Sequence, residues 1–88
     1  KVDGFSSADD GLMDVDVVIY PNPANQELWI KINTTDATIS LLDIQGRYIQ
    51  ILHNNASNTI NKVAPGIYFV KISTPTQSIV KKLIIQGE

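Results

Sequence analysis

The sequence contains no cysteine and a single histidine, His53, and these two scarcities exclude several kinds of site. Without thiolates there is no disulfide, no iron–sulfur cluster, no thiolate zinc site and no cysteine nucleophile. One imidazole also excludes any site built from two or more histidines. Long apolar runs are missing as well, because the longest hold about four residues whereas a membrane-spanning helix needs ~20. Composition therefore argues against an enzyme and against a spanning helix.

The charge is small and unevenly spread. The net charge of −2 does not indicate a nucleic-acid partner or an anionic membrane surface. Residues 1–16 carry five aspartates against Lys1, a net of −4, while the remaining residues carry a net of +2. The acidic stretch also contains Gly and Ser and few apolar residues, which is typical of a linker. We therefore predict an acidic linker over residues 1–14 and one small domain over residues 15–88.

Isoleucine and valine together make up 20 of the 88 residues, and their branched side chains favour strands over helices. No helical stripe is found, but apolar and polar residues alternate with a period of two along the chain. This pattern predicts about seven short antiparallel strands in an all-β, immunoglobulin-like β-sandwich. The predicted strands are Val15–Tyr20, Glu27–Asn33, Thr38–Ile44, Arg47–Leu52, Asn58–Val63, Gly66–Ser73 and Gln77–Gln86.

Several positions within this pattern carry more detailed predictions. The segment Thr38–Ile44 is apolar on both faces, which indicates a central strand. Gln45-Gly46 predicts a tight hairpin turn with Gly46 at positive φ, and the returning strand is expected to turn Ile49 and Ile51 inward. Tyr68, which follows a Pro-Gly turn, is a candidate for the tyrosine-corner residue of such a sandwich.

Candidate catalytic and metal-binding residues are weak. His53 stands beside an Asn-rich loop and no nucleophile-elbow motif is present, so we interpret it as a loop histidine. The aspartates of the first sixteen residues lack the order of a calcium-binding loop and are interpreted as a solvated linker. No metal and no cofactor is expected. Trp29, on the outer face of its strand, could stack on a sugar ring or pack at an interface.

Two other segments leave alternatives open when only residues are considered. In Tyr20-Pro21-Asn22-Pro23 the prolines remove two ladder donors, and a turn that ends a sheet is the simplest interpretation. Near the C-terminus Lys81 and Lys82 must point to opposite faces of a strand. They either protect an edge strand from aggregation or belong to a strand that pairs with a partner. Such a strand could also pair with its own copy, giving a weak homodimer.

Taken in order, Y-P-N-P at 20–23, D-x-x-G at 43–46, P-G-x-Y at 65–68 and K-K-L-I-I at 81–85 resemble the type A C-terminal sorting domain of the type IX secretion system, over residues 17–86. The resemblance implies a non-catalytic export signal that directs a cargo through the periplasm to the outer-membrane surface. The implied partners are translocon and shuttle components and a sortase-like cysteine protease, which removes the domain and joins the cargo to lipopolysaccharide. The residues that match the sorting motifs are Tyr20, Pro21, Asn22, Pro23, Gly46, Gly66, Tyr68, Lys81, Lys82, Leu83, Ile84 and Ile85.

Cleavage in this family falls upstream of the Y-P-N-P motif, which places it in the acidic stretch of this chain. The predicted cleavage region consists of Gly4, Phe5, Ser6, Ser7, Ala8, Asp9, Asp10 and Gly11. An alternative function is an immunoglobulin-like surface binding or adhesion module that uses Trp29 and nearby loops. A passive structural cap on an upstream enzyme is a third possibility.

Overall fold

The computed structural model describes residues 15–60 and 63–86 as an all-β fold. Its strands are β1 (Val17–Tyr20), β2 (Glu27–Ile32), β3 (Thr38–Leu42), β4 (Tyr48–Leu52), β5 (Ala56–Thr59), β6 (Gly66–Ser73) and β7 (Ser78–Ile85). They form an antiparallel three-stranded sheet in the order β1-β2-β5 and an antiparallel four-stranded sheet in the order β4-β3-β6-β7. The predicted immunoglobulin-like β-sandwich is confirmed.

The core lies between the two sheets and is built mainly by alternation of buried and exposed residues along the strands. In β2, Leu28, Ile30 and Ile32 are buried and the residues between them are exposed. β6 repeats this alternation from Tyr68 to Ile72, and β3 is a central strand, both as predicted. Each fully buried Leu or Ile contributes roughly 1.5–3 kcal/mol, so the facing interiors supply much of the stability. The buried apolar residues are Val17, Ala24, Leu28, Ile30, Ile32, Ile39, Leu41, Leu52, Ile60, Tyr68, Val70, Ile72, Leu83 and Ile85.

The orientation of β4 differs from the prediction. The register between β3 and β4 shifts between Leu41 and Leu42, so that an extra residue is accommodated in β4. Beyond this irregularity Leu52 is buried opposite Ile39, while Ile51 is exposed. Ile49 is half-buried against the core. The expectation that Ile51 faces inward is therefore wrong, because a β-bulge changes which residues of a strand point to the core.

The fifth strand begins earlier than predicted. Strand β5 runs from Ala56 to Thr59, where a loop was expected up to residue 57 and a strand from Asn58. Asn55 has a positive φ of 51°, and the buried side chain of Asn58 accepts a hydrogen bond from the N–H of His53 at 2.6 Å and donates one to its carbonyl at 3.1 Å. These bonds close a tight turn directly before the strand. The sequence of β5 is polar and has no apolar alternation that could indicate a strand. The strand also ends earlier than the predicted Val63, because β5 stops at Thr59; residues 61–62 lie outside the described residues.

Candidate functional site

Four short segments that are far apart in the sequence meet at one end of the sandwich, here called the motif end. Residues 20–24 follow β1, residues 43–47 join β3 to β4, residues 64–68 lead into β6, and residues 82–86 contain the end of β7. Gly66, the first residue of β6, pairs with Ile85 in β7, and Ala24 forms a parallel bridge with the same Ile85. Antiparallel pairing of β6 with β3 and β7, together with the bridge at Ala24, therefore gathers these segments in one place.

The side chain of Asn22 connects the first of these segments to the last. Its amide Nδ2 donates a hydrogen bond to the carbonyl of Lys82 at 3.2 Å. Its Oδ1 accepts a hydrogen bond from the N–H of Ile84 at 3.1 Å. An asparagine side chain has the same donor and acceptor groups as a peptide unit, so it can pair with a strand edge as a backbone would. The flanking prolines Pro21 and Pro23 have no N–H for this purpose.

Ala24 continues the pairing with its backbone. Its N–H donates to the carbonyl of Ile84 at 2.8 Å, and its carbonyl accepts from the N–H of Gln86 at 2.7 Å. The alanine is fully buried, so a small side chain suits this position. Residues 21–24 thus end the three-stranded sheet, as the proline pattern predicts, and they also cover part of the edge of the other sheet.

The free edge of β7 is covered over only part of its length. The groups that pair with residues 22–24 belong to Lys82, Ile84 and Gln86. Backbone groups alternate sides along a strand, so the N–H and C=O of Val80 and the N–H of Lys82 point to the same edge. In the part of the chain that the structure describes, nothing pairs with them. β7 therefore has a closed half near Ile84 and an open half near Val80.

Lys81 and Lys82 point to opposite faces of β7, as predicted. Lys81 lies opposite Val70, in line with the buried Leu83, and Lys82 lies opposite Phe69 on the outer face of the sheet. Both lysines are exposed. The core-facing position of Lys81 is compatible with exposure because β7 is the last strand of its sheet, where a long side chain can extend past the apolar interior into water. Lys81 and Lys82 lie where the closed half of the edge gives way to the open half.

Tyr68 holds the segment before β6 in place. Its ring is buried opposite Leu83, and its hydroxyl donates a hydrogen bond to the backbone carbonyl of Ala64. A buried tyrosine that bonds four residues upstream is the arrangement expected of a tyrosine corner, so that prediction is confirmed. Gly66 has a positive φ of 157° at the start of the strand.

The turn between β3 and β4 is organised by the carboxylate of Asp43. One oxygen, Oδ1, accepts hydrogen bonds from the N–H groups of Gln45 at 2.9 Å and Arg47 at 2.8 Å. The other, Oδ2, accepts from Nε of Arg47 at 2.8 Å. The backbone hydrogen bond from Arg47 is the main cause that lowers the pKa of Asp43, and the guanidinium adds to it. Gly46 takes φ +84°, as predicted for this turn. Residues of this turn and of the 64–68 segment together line a cavity of about 330 Å³.

A separate groove contains Trp29. The indole is 45% exposed on the outer face of β2, opposite Tyr20 of β1 and Ser57 of β5. Together with Pro21, Asn25 and other residues it lines an open cavity of about 500 Å³. An aromatic face beside amide and hydroxyl groups is a combination that binds sugars and polar peptide groups.

Other predicted features carry no site in the described residues. His53 is exposed, and its hydrogen bonds to Asn58 come from its backbone. Within residues 15–60 and 63–86 no three His, Asp or Glu side chains come close enough to hold a metal ion. The same ranges contain no helix long and apolar enough to cross a membrane. The predicted cleavage region, Gly4–Gly11, and the aspartates before Val15 lie outside the described residues.

Two residues at the motif end are absent from the sequence-based candidates. Ala24 and Gln86 take part through their backbones, which leaves little trace in a sequence. The one available signal is that Ala24 supplies the first backbone N–H after the Pro-Asn-Pro segment. The pairing of Asn22 with β7 was likewise not predicted, since its two partners lie 60 and 62 residues away.

Comparison with known proteins shows that the chain matches a protein family. A family model described as a secretion system C-terminal sorting domain matches residues 18–86, which is more than half of the chain. A solved structure of PorZ, a surface component of the type IX secretion system of Porphyromonas gingivalis, resembles this fold with a TM-score of 0.66 at 20% identity. The likeness covers 80% of this chain and 11% of that protein, so it concerns the fold of one small part of PorZ. A search of curated protein sequences finds no match.

Proposed function

Because the chain belongs to the family of type IX secretion system C-terminal sorting domains, we propose that it directs a cargo protein from the periplasm across the outer membrane to the cell surface. In this proposal translocon and shuttle components recognise and bind the folded domain. A sortase-like cysteine protease then cleaves within the acidic stretch, near Gly4–Gly11, and joins the cargo to lipopolysaccharide. The domain itself is a substrate and carries no catalytic activity.

The observation that supports this proposal most directly is the joint between residues 21–24 and the end of β7. The terminal strand is hydrogen-bonded on one side to β6 along its whole length, and on the other side to Asn22 and Ala24. A sorting signal of this kind is a folded surface and not a loose tail. It presents Lys81 and Lys82 in a defined arrangement, which a receptor can recognise by charge and position.

Export of a reporter tests the proposal. Residues 1–88 are fused behind a signal peptide and a reporter in a host with an active type IX system, and reporter at the cell surface is measured. We expect surface display for the wild-type domain and periplasmic retention for Lys81→Ala/Lys82→Ala, because this change removes both ammonium groups and little buried area. Lys31→Ala, at another exposed strand position, is the matched control and should be displayed normally.

Thermal melting of the purified domains separates loss of recognition from loss of folding. Retention of a folded double variant, with normal display of Lys31→Ala, would support the terminal strand as the recognised element. Equal retention of the wild-type domain and the double variant would contradict export as the function.

The groove at Trp29 favours a second candidate, a surface binding module. Its half-exposed indole, amide groups and volume of about 500 Å³ suit a sugar or a polar segment of a protein. A glycan-array screen of wild type against Trp29→Ala tests this function. Binding that disappears in the variant, together with unchanged export, would assign the groove a role of its own.

A further inference from the structure

The outer face of the four-stranded sheet is unusually apolar. Cross-strand register places four rows of side chains on it: a polar row of Thr38, Ser73 and Ser78, and three further rows that follow it toward the motif end. The first of these three rows is Ile51, Ser40, Lys71 and Val80; the second is Tyr48, Leu42, Phe69 and Lys82; the third is Ile67 and Ile84. We call the ten residues of these three rows the outer apolar face. Outward positions of a sandwich are usually polar, yet five exposed large apolar side chains stand here: Tyr48, Ile51, Ile67, Val80 and Ile84.

The charges on this face have one sign. Lys71 and Lys82 are its only ionisable groups that are charged at neutral pH, and both are exposed. None of the ten residues of the face carries a carboxylate, and Asp43, which follows Leu42 in the β3–β4 turn, is bonded to Arg47. The only ion pair among the described residues is that one, so neither lysine of the face has an acidic partner among them. Apolar side chains interspersed with unpaired positive charge are complementary to a partner that carries apolar side chains and carboxylates.

The position of the lysines argues against a lipid membrane as the partner of this face. Lys71 has Val80 as its neighbour on β7 and Ser40 on β3, with Ile51 beyond, and Phe69 precedes it on the same face of β6, so apolar side chains flank it on two sides. Insertion of this face into hydrocarbon would bury an ammonium group, whereas lipid-inserting surfaces keep cationic groups at the polar boundary. A protein can instead place a carboxylate directly opposite each lysine.

Charge argues against a second copy of the domain, and the size of the face indicates a transient contact. The face measures on the order of 14 Å in each direction, from three strand spacings and two side-chain repeats. The corresponding area, roughly 200 Å², is far below the ~800 Å² per partner of a stable complex and fits a transient contact. A symmetric pair would bring the lysines of both copies into one interface that contains no carboxylate to pair with them.

We propose that the outer apolar face is the docking surface for a protein partner that presents carboxylates among apolar side chains. This inference rests on the proposed function, because it names the surface by which a carrier of the secretion system would hold the folded domain. A small contact of this kind would release the cargo readily, as a carrier requires.

The other sheet offers a closely matched control. Lys71 and Val80 are cross-strand neighbours on the outer apolar face, and Lys31 and Val18 are cross-strand neighbours on the outer face of β1 and β2. The two valines are equally exposed, at 57% for Val80 and 53% for Val18. Lys71→Glu/Val80→Thr and Lys31→Glu/Val18→Thr therefore make the same chemical changes at similar positions in two sheets.

The first measurement is export of the reporter fusion with each pair of substitutions. We expect surface reporter to fall roughly tenfold or more for Lys71→Glu/Val80→Thr, because loss of contacts at the centre of an interface has effects of this size. For the control pair we expect a change within about twofold. Lys71→Arg/Val80→Ile, which keeps charge and apolar character, should retain display. Failure of the wild-type fusion to reach the surface would count against the proposed function, whereas normal display of Lys71→Glu/Val80→Thr would overturn only the docking surface.

The second measurement identifies the partner that binds the outer apolar face. A photo-crosslinking amino acid replaces Val80 or Val18 in exporting cells. We expect an adduct with a protein of the secretion system at Val80 only, with Asp or Glu near the crosslinked peptide, and its loss when Lys71→Glu is added. An adduct with lipid, or with a second copy of the domain supported by a dimer in sedimentation velocity, would overturn the proposal of an acidic protein partner. The absence of any adduct at Val80 would overturn it as well.

Discussion

The joint between residues 21–24 and β7 can be tested by replacing Asn22 with alanine. The change removes two hydrogen bonds, to the carbonyl of Lys82 and from the N–H of Ile84. Each such bond contributes about 0.5–1.5 kcal/mol to stability. Both lie at an exposed edge where water can replace the lost partner, so we take the lower end and expect a loss of about 1 kcal/mol.

For a domain of this size, a loss of about 1 kcal/mol lowers the melting temperature by roughly 4–8 °C. Urea unfolding measures the free energy directly and thermal melting gives the temperature shift. Hydrogen exchange followed by NMR adds a local readout, because the amide of Ile84 loses its acceptor and should exchange faster than the amides that bond to β6. Exchange of the amides of Leu83 and Ile85 should change less, since they face the β6 ladder.

Asn25→Ala is the control for this experiment. Asn25 is an exposed asparagine only three residues away, and none of the hydrogen bonds across to β7 involves it. We expect its removal to change stability by less than about 0.5 kcal/mol. The reasoning would be refuted if Asn22→Ala melted like the wild type and left exchange at Ile84 unchanged, because the side chain would then not hold the strand edge in solution.

Three further changes probe the rest of the motif end. Tyr68→Phe removes the hydrogen bond to Ala64 and should cost about 1 kcal/mol in urea unfolding, whereas Tyr48→Phe, at an exposed site, should be neutral. Gly46→Ala should cost about 1 kcal/mol or more from backbone strain at φ +84° alone, since a Cβ there meets no atom within 4 Å; an equal melting temperature would contradict this. The lowered pKa of Asp43 means that the ionised carboxylate stabilises the folded state. That contribution is fully present above the unfolded pKa of about 3.9 and is lost as the pH falls through the lower folded pKa. Wild type should therefore lose its advantage over Asp43→Asn in melts taken from pH 6 down to pH 2.5, and a difference that did not depend on pH would count against the role of the charge.

The strands and their faces could be predicted well from the sequence alone. Alternation identified the buried side of β2 and β6, and the apolar character of Thr38–Ile44 identified the central strand. Local turn chemistry placed Gly46 at positive φ and Tyr68 at a tyrosine corner. These features depend on residues close together in the chain, so their signals are present in any short window of the sequence. The order of four motifs was enough to indicate the family.

Local irregularities could not be predicted because they depend on pairing. A bulge opposite Leu41 and Leu42 turned Ile51 outward, although the alternation of β4 alone pointed it inward. Strand β5 is polar and takes its position from the side chain of Asn58 and the conformation of Asn55. In both cases the contact that determines the local structure lies outside the segment whose sequence pattern gave the prediction.

The candidate site likewise has a part that the sequence could predict and a part that it could not. The sequence determined which residues matter as candidates, because Asn22, Lys81, Lys82 and their neighbours stand in recognisable motifs. Only the tertiary structure decided that the first motif covers the edge of the last strand, and that β7 is closed at one half and open at the other. The physical reason is that hydrogen bonds between segments 60 residues apart form after the chain has folded back on itself, and no local pattern of residues encodes which strand edge a short polar segment will meet.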